Sequence, residues 1–305
     1  MPLLKVRHST VYSYAQPVAF GPHRMMFRPR DSHDLRLVST QLSIRPEPAH
    51  IRWVYDVFGN SIAIATFPDG VRSDRLEFVS ELDLVHYVTA LPEFSTEDYA
   101  RTYPFAYAME DAPDLARSIE RHHPDPNRDV DRWAKGFVRI DAPTVTEDLL
   151  VWMTRAIKTT FRYEARDEEG TQLPVETLRK GSGTCRDFAL LMMEAVRALG
   201  LAARFVSGYI YSPNAGGSGH VGGGATHAWM QCYLPGAGWI SFDPTNGIVG
   251  NRDLIRVAVV RDPKQAVPLL GTWTGRAEDY LGIQVDVRVS AGTPEVSQAE
   301  SGRSS

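Results

Sequence analysis

The first residue that could do chemistry is Cys185, one of two cysteines in the chain. In the stretch GSGTCRDFALLMMEAVRALG, Thr184 and Asp187 have the spacing of a helix-capping pair, and apolar residues follow at helical spacing. We expect a helix over about 185–199 with the cysteine in its first turn, where the positive end of the helix dipole favours a thiolate. The free amides of that turn and of Gly183 and Thr184 are candidate donors to an oxyanion. This cysteine is therefore a candidate nucleophile, although most unpaired cysteines simply fill a buried position.

A base and an orienting carboxylate are available downstream. His227 lies in the predicted strand THAWMQCYL, and Asp243 ends the predicted strand GWISFD just before a proline. A histidine beside a cysteine takes up the thiol proton, and a carboxylate fixes the tautomer and orientation of the imidazole. Cys185, His227 and Asp243 are thus candidates for nucleophile, base and orienting acid in acyl transfer. Trp239, in the same strand as Asp243, is a candidate for lining the acyl site.

The other cysteine and a loop histidine favour structural or solvated positions. Alternation along the strand places Cys232 on the face opposite His227, where a core position is expected. A zinc site built from Cys185, His220, His227 and Cys232 would have spacings that match no compact Cys/His pattern. We expect no metal and no other cofactor, and the lack of an acidic loop with calcium-site spacing predicts no calcium requirement.

The elements that must position these residues divide the chain into four segments. Residues 1–102 are rich in Val, Ile, Tyr and Phe and contain turn signals such as DVFGN and FPDG, which predicts an antiparallel β-domain. Residues 103–143 are polar and interrupted by prolines, so we expect a connector. Residues 144–290 read as helices followed by strands, and 291–305 as a small-polar, disordered tail. A glycine-rich loop at 212–226, just before the histidine, is a candidate mobile flap over the site.

Composition bounds the class of protein. The 305 residues are 43% hydrophobic and 23% charged, which is ordinary for a globular protein of about two domains. A net charge of −4 with a pI of about 6.1 gives no basic footprint for nucleic acid. Two cysteines cannot make a disulfide framework, which is typical of a reduced compartment. Since there is no signal-peptide-like start and no run of about 18 apolar residues, we expect a cytoplasmic protein with no membrane or nucleic-acid partner.

Together these motifs resemble the catalytic core of the transglutaminase-like superfamily. The stretches KGSGTCRDFALLMMEAVRALGLAARFVSGYI and THAWMQCYLPGAGWISFDPTNG carry its pattern: a GxC at a helix start, an ARxVSGY strand, an HAW strand and a GW…DPT strand. The stretches YSYAQPVAFGPHRMMFRPR, DVFGN and VVRDPKQAVPLLGTWTG resemble a bacterial subfamily with an N-terminal β-domain. The resemblance covers most of the chain, is weakest over about 103–143 and is absent from the tail.

The resemblance implies an α+β fold in which the β-domain precedes a papain-like core, with the cysteine-bearing helix packed on an antiparallel sheet. It implies a Cys-His-Asp triad at Cys185, His227 and Asp243. Members transfer the acyl group of an amide to water or to an amine, and bacterial members similar to this chain are regarded as cysteine proteases.

From the residues and the resemblance together, we expect hydrolysis of a peptide or isopeptide amide through a thioester, with a peptide or protein as substrate and no cofactor. Transfer to an amine by the same triad is the first alternative. A non-catalytic peptide-binding or assembly module is the second, although such a module would gain nothing from a Cys-His pair.

Overall fold

The computed structural model describes residues 3–87, 94–166, 170–212, 221 and 224–292. The elements in chain order are β1 (Leu3–Met25), β2 (Leu35–Arg45), β3 (His50–Tyr55), β4 (Ser61–Thr66), β5 (Arg72–His86), β6 (Thr102–Tyr103), α1 (Ala112–Ile119), α2 (Asp129–Lys135), β7 (Thr144–Val145), α3 (Thr146–Thr160), β8 (Arg162–Tyr163), α4 (Pro174–Lys180), β9 (Ser182–Gly183), α5 (Cys185–Ala198), β10 (Ala203–Ile210), β11 (His227–Leu234), β12 (Gly238–Asp243), β13 (Ile248–Val249), β14 (Leu254–Val260), β15 (Leu269–Thr274) and β16 (Tyr280–Gly292).

The predicted N-terminal antiparallel β-domain is confirmed. Its strands run in the order β2-β5-β1-β4-β3, and the long strand β1 also pairs with β15 and β16. One half of β1 pairs with β5 and β16, and its other half pairs with β4 and β15. Alternate residues of β1 and β5 are buried, among them Val6, Leu76 and Leu84, which gives the sheet an apolar inner face.

The second antiparallel sheet, in the order β13-β12-β11-β10-β14, supports helix α5. The helix packs on β11 and β10 with one side and on α2, α3 and α4 with the others. Almost every residue of α5 is buried, as its apolar sequence FALLMMEAV requires. Because the helix is enclosed on all sides, the position of its first turn is fixed relative to the strands.

The second sheet also packs directly on the N-terminal sheet. Tyr209 and Ile255 share a buried apolar cluster with Val6 and Leu84. A buried hydrogen bond of 3.0 Å between His8 Nδ1 and the Tyr209 hydroxyl also joins the two parts. The N-terminal sheet therefore helps to hold in place the sheet that carries His227.

Two of the segment boundaries need correction. The C-terminal strands β15 and β16 pair with β1, so the segment expected to form one core over 144–290 contributes its end to the N-terminal sheet. Alternation in IQVDVRV predicts a strand, but it carries no information about a partner so distant in the chain. The segment 103–143 is more than a connector, because α2 places Val130 and Ala134 in the main core.

Two expectations fall largely outside the described residues. The tail beyond 292 and most of the glycine-rich loop, 213–220 with 222–223, are not among them, so the expected disorder and flap remain predictions. Within the part of the chain that is described, no helix is long and apolar enough to cross a membrane.

Candidate active site

Cys185 is the first residue of α5, and the predicted capping pair is confirmed. The Thr184 hydroxyl accepts a hydrogen bond from the Asp187 amide, and the Asp187 carboxylate accepts one of 2.8 Å from the Thr184 amide. This reciprocal N-terminal cap makes the helix begin at Cys185. The Cys185 side chain is buried but retains 6% of its exposure, so it lies at the edge of the core rather than inside it.

Asp187 does more than cap the helix. The Arg166 guanidinium donates to both carboxylate oxygens, at 3.0 and 3.2 Å, and the Gln172 amide donates at 2.7 Å. Burial opposes ionisation of this carboxyl, but the donors from Thr184, Gln172 and Arg166 lower its pKa below the ordinary value. The charged network locks the segment before Cys185 against the helix. Arg166 is 21 residues from Asp187 and follows no local pattern, so sequence patterns could not reveal this pair.

Replacing Asp187 with Ala is expected to destabilise the fold by about 3 kcal/mol, because it leaves the Arg166 cation and two amides without their buried acceptor. Urea denaturation followed by circular dichroism measures this. The matched control is Glu176→Ala, which removes an exposed ion pair with Lys180 and should change the free energy of unfolding by less than about 1 kcal/mol. Equal effects of the two substitutions would contradict a structural role for the Asp187 network.

The two sheet residues of the candidate site meet through strand pairing. His227 begins β11 and Asp243 ends β12, and the antiparallel register that pairs Met230 with Phe242 brings these two ends together. The imidazole Nε2 lies 2.8 Å from Asp243 Oδ2, and both side chains are fully buried. The Thr245 amide donates to the other carboxylate oxygen at 2.9 Å, which holds the carboxylate in place.

The electrostatics of this pair favour a protonated imidazole. Burial lowers the pKa of His227, but the Asp243 carboxylate and then Cys185 outweigh burial and raise the pKa to about 10. Burial likewise opposes ionisation of Asp243, and the imidazolium together with the hydrogen bonds to the carboxylate lowers its pKa. Since Nε2 is held by Asp243, Nδ1 is the ring atom left for the thiol. It is buried and makes no conventional hydrogen bond to the described residues.

Asn246 supports the pair and was not identified from the sequence. Its side-chain amide donates to Asp243 Oδ2 at 2.9 Å and to the Val221 carbonyl at 3.1 Å, while its own oxygen accepts from the Val221 amide. It therefore ties the chain just before β11 to the orienting carboxylate. The signal was available in DPTN, where an Asn three residues after the Asp is typical of a side-chain-stabilised turn.

Tyr163 is a second residue that sequence patterns did not reveal. Strand β8 runs parallel to β9 and pairs Tyr163 with Gly183, two residues before the cysteine. Burial, followed by the charges of Cys185 and Asp187, raises the pKa of this phenol to about 12, so it is a neutral hydroxyl group beside the thiol. The ring is 39% exposed, which leaves it accessible at the site.

The oxyanion role expected of Thr184 is contradicted by the structure, whereas that expected of Gly183 stays a prediction. The Thr184 amide is already bonded to Asp187, and a side chain on Gly183 would meet Asp187 and Gln172 at 2.9 Å, which shows how tightly this glycine is packed behind the helix. These two residues shape the backbone around the cysteine. The described residues offer no acceptor to the amide of Cys185, so it remains the donor beside the thiol.

Trp239 does not line the site. It pairs with Tyr233 at the far end of β12, four residues or about 13 Å from Asp243. Its ring lies under the Arg204 guanidinium, 4.0 Å from the ring centroid, and against Tyr233. Membership of the same strand could not show which end of the strand the ring occupies relative to the catalytic candidates.

The other metal-ligating candidates do not assemble around the triad residues. Cys232 is fully buried in the main core, on the side of β11 that faces α5, and burial raises its pKa. His220 lies outside the described residues. Within the described ranges, no group of three or more His, Cys, Asp or Glu side chains could hold a metal ion.

A cavity of about 910 Å³ lies against the N-terminal sheet, beside the candidate site, and none of Cys185, His227 and Asp243 lines it. Arg186, which directly follows Cys185, contributes to one wall, and Tyr14, Trp273 and Tyr280 form an aromatic wall opposite. Lys264 adds a second cation, and no carboxylate is among the described residues that line it. The cavity is large enough for several residues of a peptide.

Comparison with known proteins assigns the chain to a family. Residues 4–84 match the family model described as the bacterial transglutaminase-like N-terminal region, and residues 134–244 match that of the transglutaminase-like superfamily. An uncharacterized protein of Mycobacterium tuberculosis is 30% identical over 296 residues, which covers 93% of this chain and 91% of that protein. The chain belongs to the transglutaminase-like superfamily.

Two further proteins are similar to this chain. An uncharacterized protein of Mycobacterium leprae is 34% identical over 113 residues, covering 37% of this chain and 40% of that protein. The crystal structure of a "putative cysteine protease" from Cytophaga hutchinsonii superimposes with a TM-score of 0.69 at 16% identity, over 96% of this chain and 92% of that one, and shows the same fold. Membership of this superfamily supports a cysteine-dependent enzyme of the acyl-transfer or hydrolase class.

Proposed function

We propose that this transglutaminase-like protein hydrolyses a peptide or isopeptide amide through a thioester acyl-enzyme, with Cys185, His227 and Asp243 as the triad. The observation that carries the proposal is the buried 2.8 Å contact between His227 and Asp243, which leaves the second imidazole nitrogen for the thiol at the start of α5. In the proposed resting state, a buried His227 imidazolium lies beside the Cys185 thiolate and stabilises it.

In the proposed acylation step, the Cys185 thiolate attacks the amide carbonyl carbon and a C–S bond forms. The carbonyl oxygen becomes an oxyanion, to which the Cys185 amide at the helix start donates. His227 gives its Nδ1 proton to the leaving amine as the C–N bond breaks, which leaves a thioester and a neutral imidazole. Asp243 keeps the Nε2–H in place throughout, so the proton is exchanged at a single nitrogen.

In the proposed deacylation step, water enters and His227 removes its proton at Nδ1. The hydroxide equivalent attacks the thioester, the C–S bond breaks, and the thiolate and imidazolium are restored with release of a carboxylic acid. Each turnover therefore consumes one amide and one water, and returns an amine and an acid.

The charges of the neighbouring cavity favour water over a lysine side chain as acceptor for a substrate that occupies it. The 910 Å³ cavity is lined by the cations Arg186 and Lys264, which repel an incoming ammonium group. Its aromatic wall of Tyr14, Trp273 and Tyr280 suits the apolar side chains of a polypeptide substrate. Transfer of the acyl group to an amine is therefore the alternative that the amine-incorporation experiment must exclude.

The proposed function is tested by mass spectrometry of a casein-derived peptide mixture incubated with the protein, with and without the labelled amine monodansylcadaverine. We expect new peptide termini or Gln-to-Glu conversion that depend on Cys185 and are absent with Cys185→Ala. Incorporation of the amine at a rate equal to or above hydrolysis would contradict hydrolase activity. Identical peptide patterns from the wild type and Cys185→Ala would contradict catalysis on peptides of this kind.

A further inference from the structure

A second cavity, of about 530 Å³, is lined by the second sheet and by residues that flank strands of the N-terminal sheet, and none of the triad residues lines it. On β10, Ala203 and Phe205 belong to the core under α5, so the intervening Arg204 projects from the opposite face of the sheet. The lining residues combine the N-terminal and second sheets: His33, Asp34 and Tyr87 on one side, and Arg204, Trp239 and Arg256 on the other.

Arg204 is an incompletely compensated cation in this cavity. Its Nε donates to the neutral Gln231 side chain at 2.9 Å, and its guanidinium carbon lies over Trp239, 4.0 Å from the ring centroid. No carboxylate of the described residues forms an ion pair with it. Burial, and then the nearby Arg256 cation, lower its pKa to about 9. It is nevertheless charged at neutral pH, so its terminal N–H groups are donors without an anionic acceptor.

The carboxylate in the cavity, Asp34, already has hydrogen-bond and ion-pair partners within the protein. Asp34 accepts from Arg256 at 3.4 Å, from the Asn251 side chain at 2.9 Å and from the Ser32 hydroxyl. The hydrogen bond from Ser32 and the Arg256 cation outweigh burial and lower its pKa, so Asp34 is ionised and paired. Two guanidinium groups therefore face one carboxylate, and the excess positive charge belongs to Arg204.

We propose that this cavity binds a small organic anion whose carboxylate or phosphate group pairs with Arg204. The planar guanidinium, held by Trp239 and Gln231, is oriented before a ligand arrives and offers parallel N–H groups that match either oxyanion. The cavity volume is that of a small-molecule site. Because the ligand would touch both sheets, binding would stabilise their packing. The lining includes Ser241, two residues before Asp243, but none of Cys185, His227 and Asp243, so the ligand would bind outside the proposed catalytic site.

Isothermal titration calorimetry in chloride-free buffer tests the proposal. The probes are inorganic phosphate and glycerol 3-phosphate for the phosphate class, and succinate and citrate for the carboxylate class. We expect saturable binding of at least one probe to the wild type, accompanied by a rise in the melting temperature. The class of the tighter probes identifies the chemistry of the ligand.

The decisive variant is Arg204→Met, which keeps an apolar side chain over Trp239 and removes the charge. We expect at least a tenfold loss of affinity, with partial retention in Arg204→Lys. Arg204→Met should fold at least as stably as the wild type without ligand, since it removes a poorly compensated cation. The matched control is Arg52→Met, which removes an exposed arginine of β3 and should bind like the wild type. Cys185→Ala should also bind normally, which separates this site from the proposed catalytic activity.

Absence of saturable binding of all four probes to the wild type would overturn the proposal. Equal binding by the wild type and Arg204→Met would overturn it as well. An equal loss in Arg204→Met and Arg52→Met would show that only net charge matters, which is also incompatible with a built site.

Discussion

Cys185→Ala is expected to lower amide turnover by about 10⁵-fold or more, to the level of the reaction without a nucleophile. The reason is that every bond-making step of the proposed mechanism forms or breaks a bond to this sulfur. The measurement is the single-turnover rate on whichever peptide the casein mixture identifies. The fold should survive, because the side chain lies at the edge of the core with 6% exposure.

The second cysteine supplies the matched control for this substitution. Cys232→Ala removes a sulfur that is fully buried in the main core and separated from His227 by the thickness of the strand. It should cost some stability, as a small cavity in a packed core does, and leave turnover within a few-fold of the wild type. Retention of more than about 1% of turnover by Cys185→Ala would contradict covalent catalysis at this residue.

Asp243→Asn is expected to lower turnover by about 10³- to 10⁴-fold while leaving the shape of the site nearly unchanged. The Asn side chain can no longer stabilise the imidazolium, so burial dominates and the pKa of His227 falls from about 10 toward values below 6.5. The neutral imidazole is then too weak a base to hold the thiol proton at neutral pH. The measurement is the pH dependence of turnover in the variant and in the wild type.

The same substitution has a pH-dependent effect on stability, with a sign fixed by the two pKa shifts. The pKa of His227 is raised from 6.5 to about 10, so its contribution is complete below pH 6.5 and is lost as the pH rises through 10. The pKa of Asp243 is lowered from 3.8, so its contribution is present above that pH and is lost on acidification. Asp243→Asn should therefore destabilise most between about pH 4 and 6.5 and progressively less toward pH 10.

Urea denaturation at pH 5.5 and pH 10 measures this difference, with Asp74→Asn as the control for loss of an exposed carboxylate. The control should show no pH-dependent change relative to the wild type, because Asp74 is exposed and interactions of exposed charges contribute little to stability. A constant difference between Asp243→Asn and the wild type at both pH values would contradict an imidazolium–carboxylate pair.

Local sequence patterns were sufficient to predict the elements of the site that depend on residues close together in the chain. Thr184 and Asp187 predicted the start of α5 because a capping box is completed within four residues. The strand motifs around His227 and Asp243 predicted two neighbouring strands, and the antiparallel register then brought the two side chains together.

The features that the sequence did not reveal depend on contacts between distant segments. Arg166 reaches Asp187 across 21 residues, and β16 returns to β1 from the other end of the chain. Trp239 was expected at the active site because it shares a strand with Asp243. A strand rises about 3.3 Å per residue, so a residue at the far end of β12 lies too far from Asp243 to line the same site. Periodicity identifies which face a residue occupies, and only the assembled sheets determine what lies opposite.

The central claim is that Cys185 and His227 form a thiolate–imidazolium pair, and the most direct test is the rate of alkylation by iodoacetamide as a function of pH. The measurement uses Cys232→Ala protein, so that Cys185 alone reports, with and without His227→Ala. The account predicts rapid alkylation already at pH 6 that changes little up to about pH 9, and at least a tenfold slower reaction at pH 6 when His227 is removed. A rate that instead climbs steadily with pH toward a midpoint near about 8.5, as for a free cysteine, and that is unaffected by His227→Ala would contradict it.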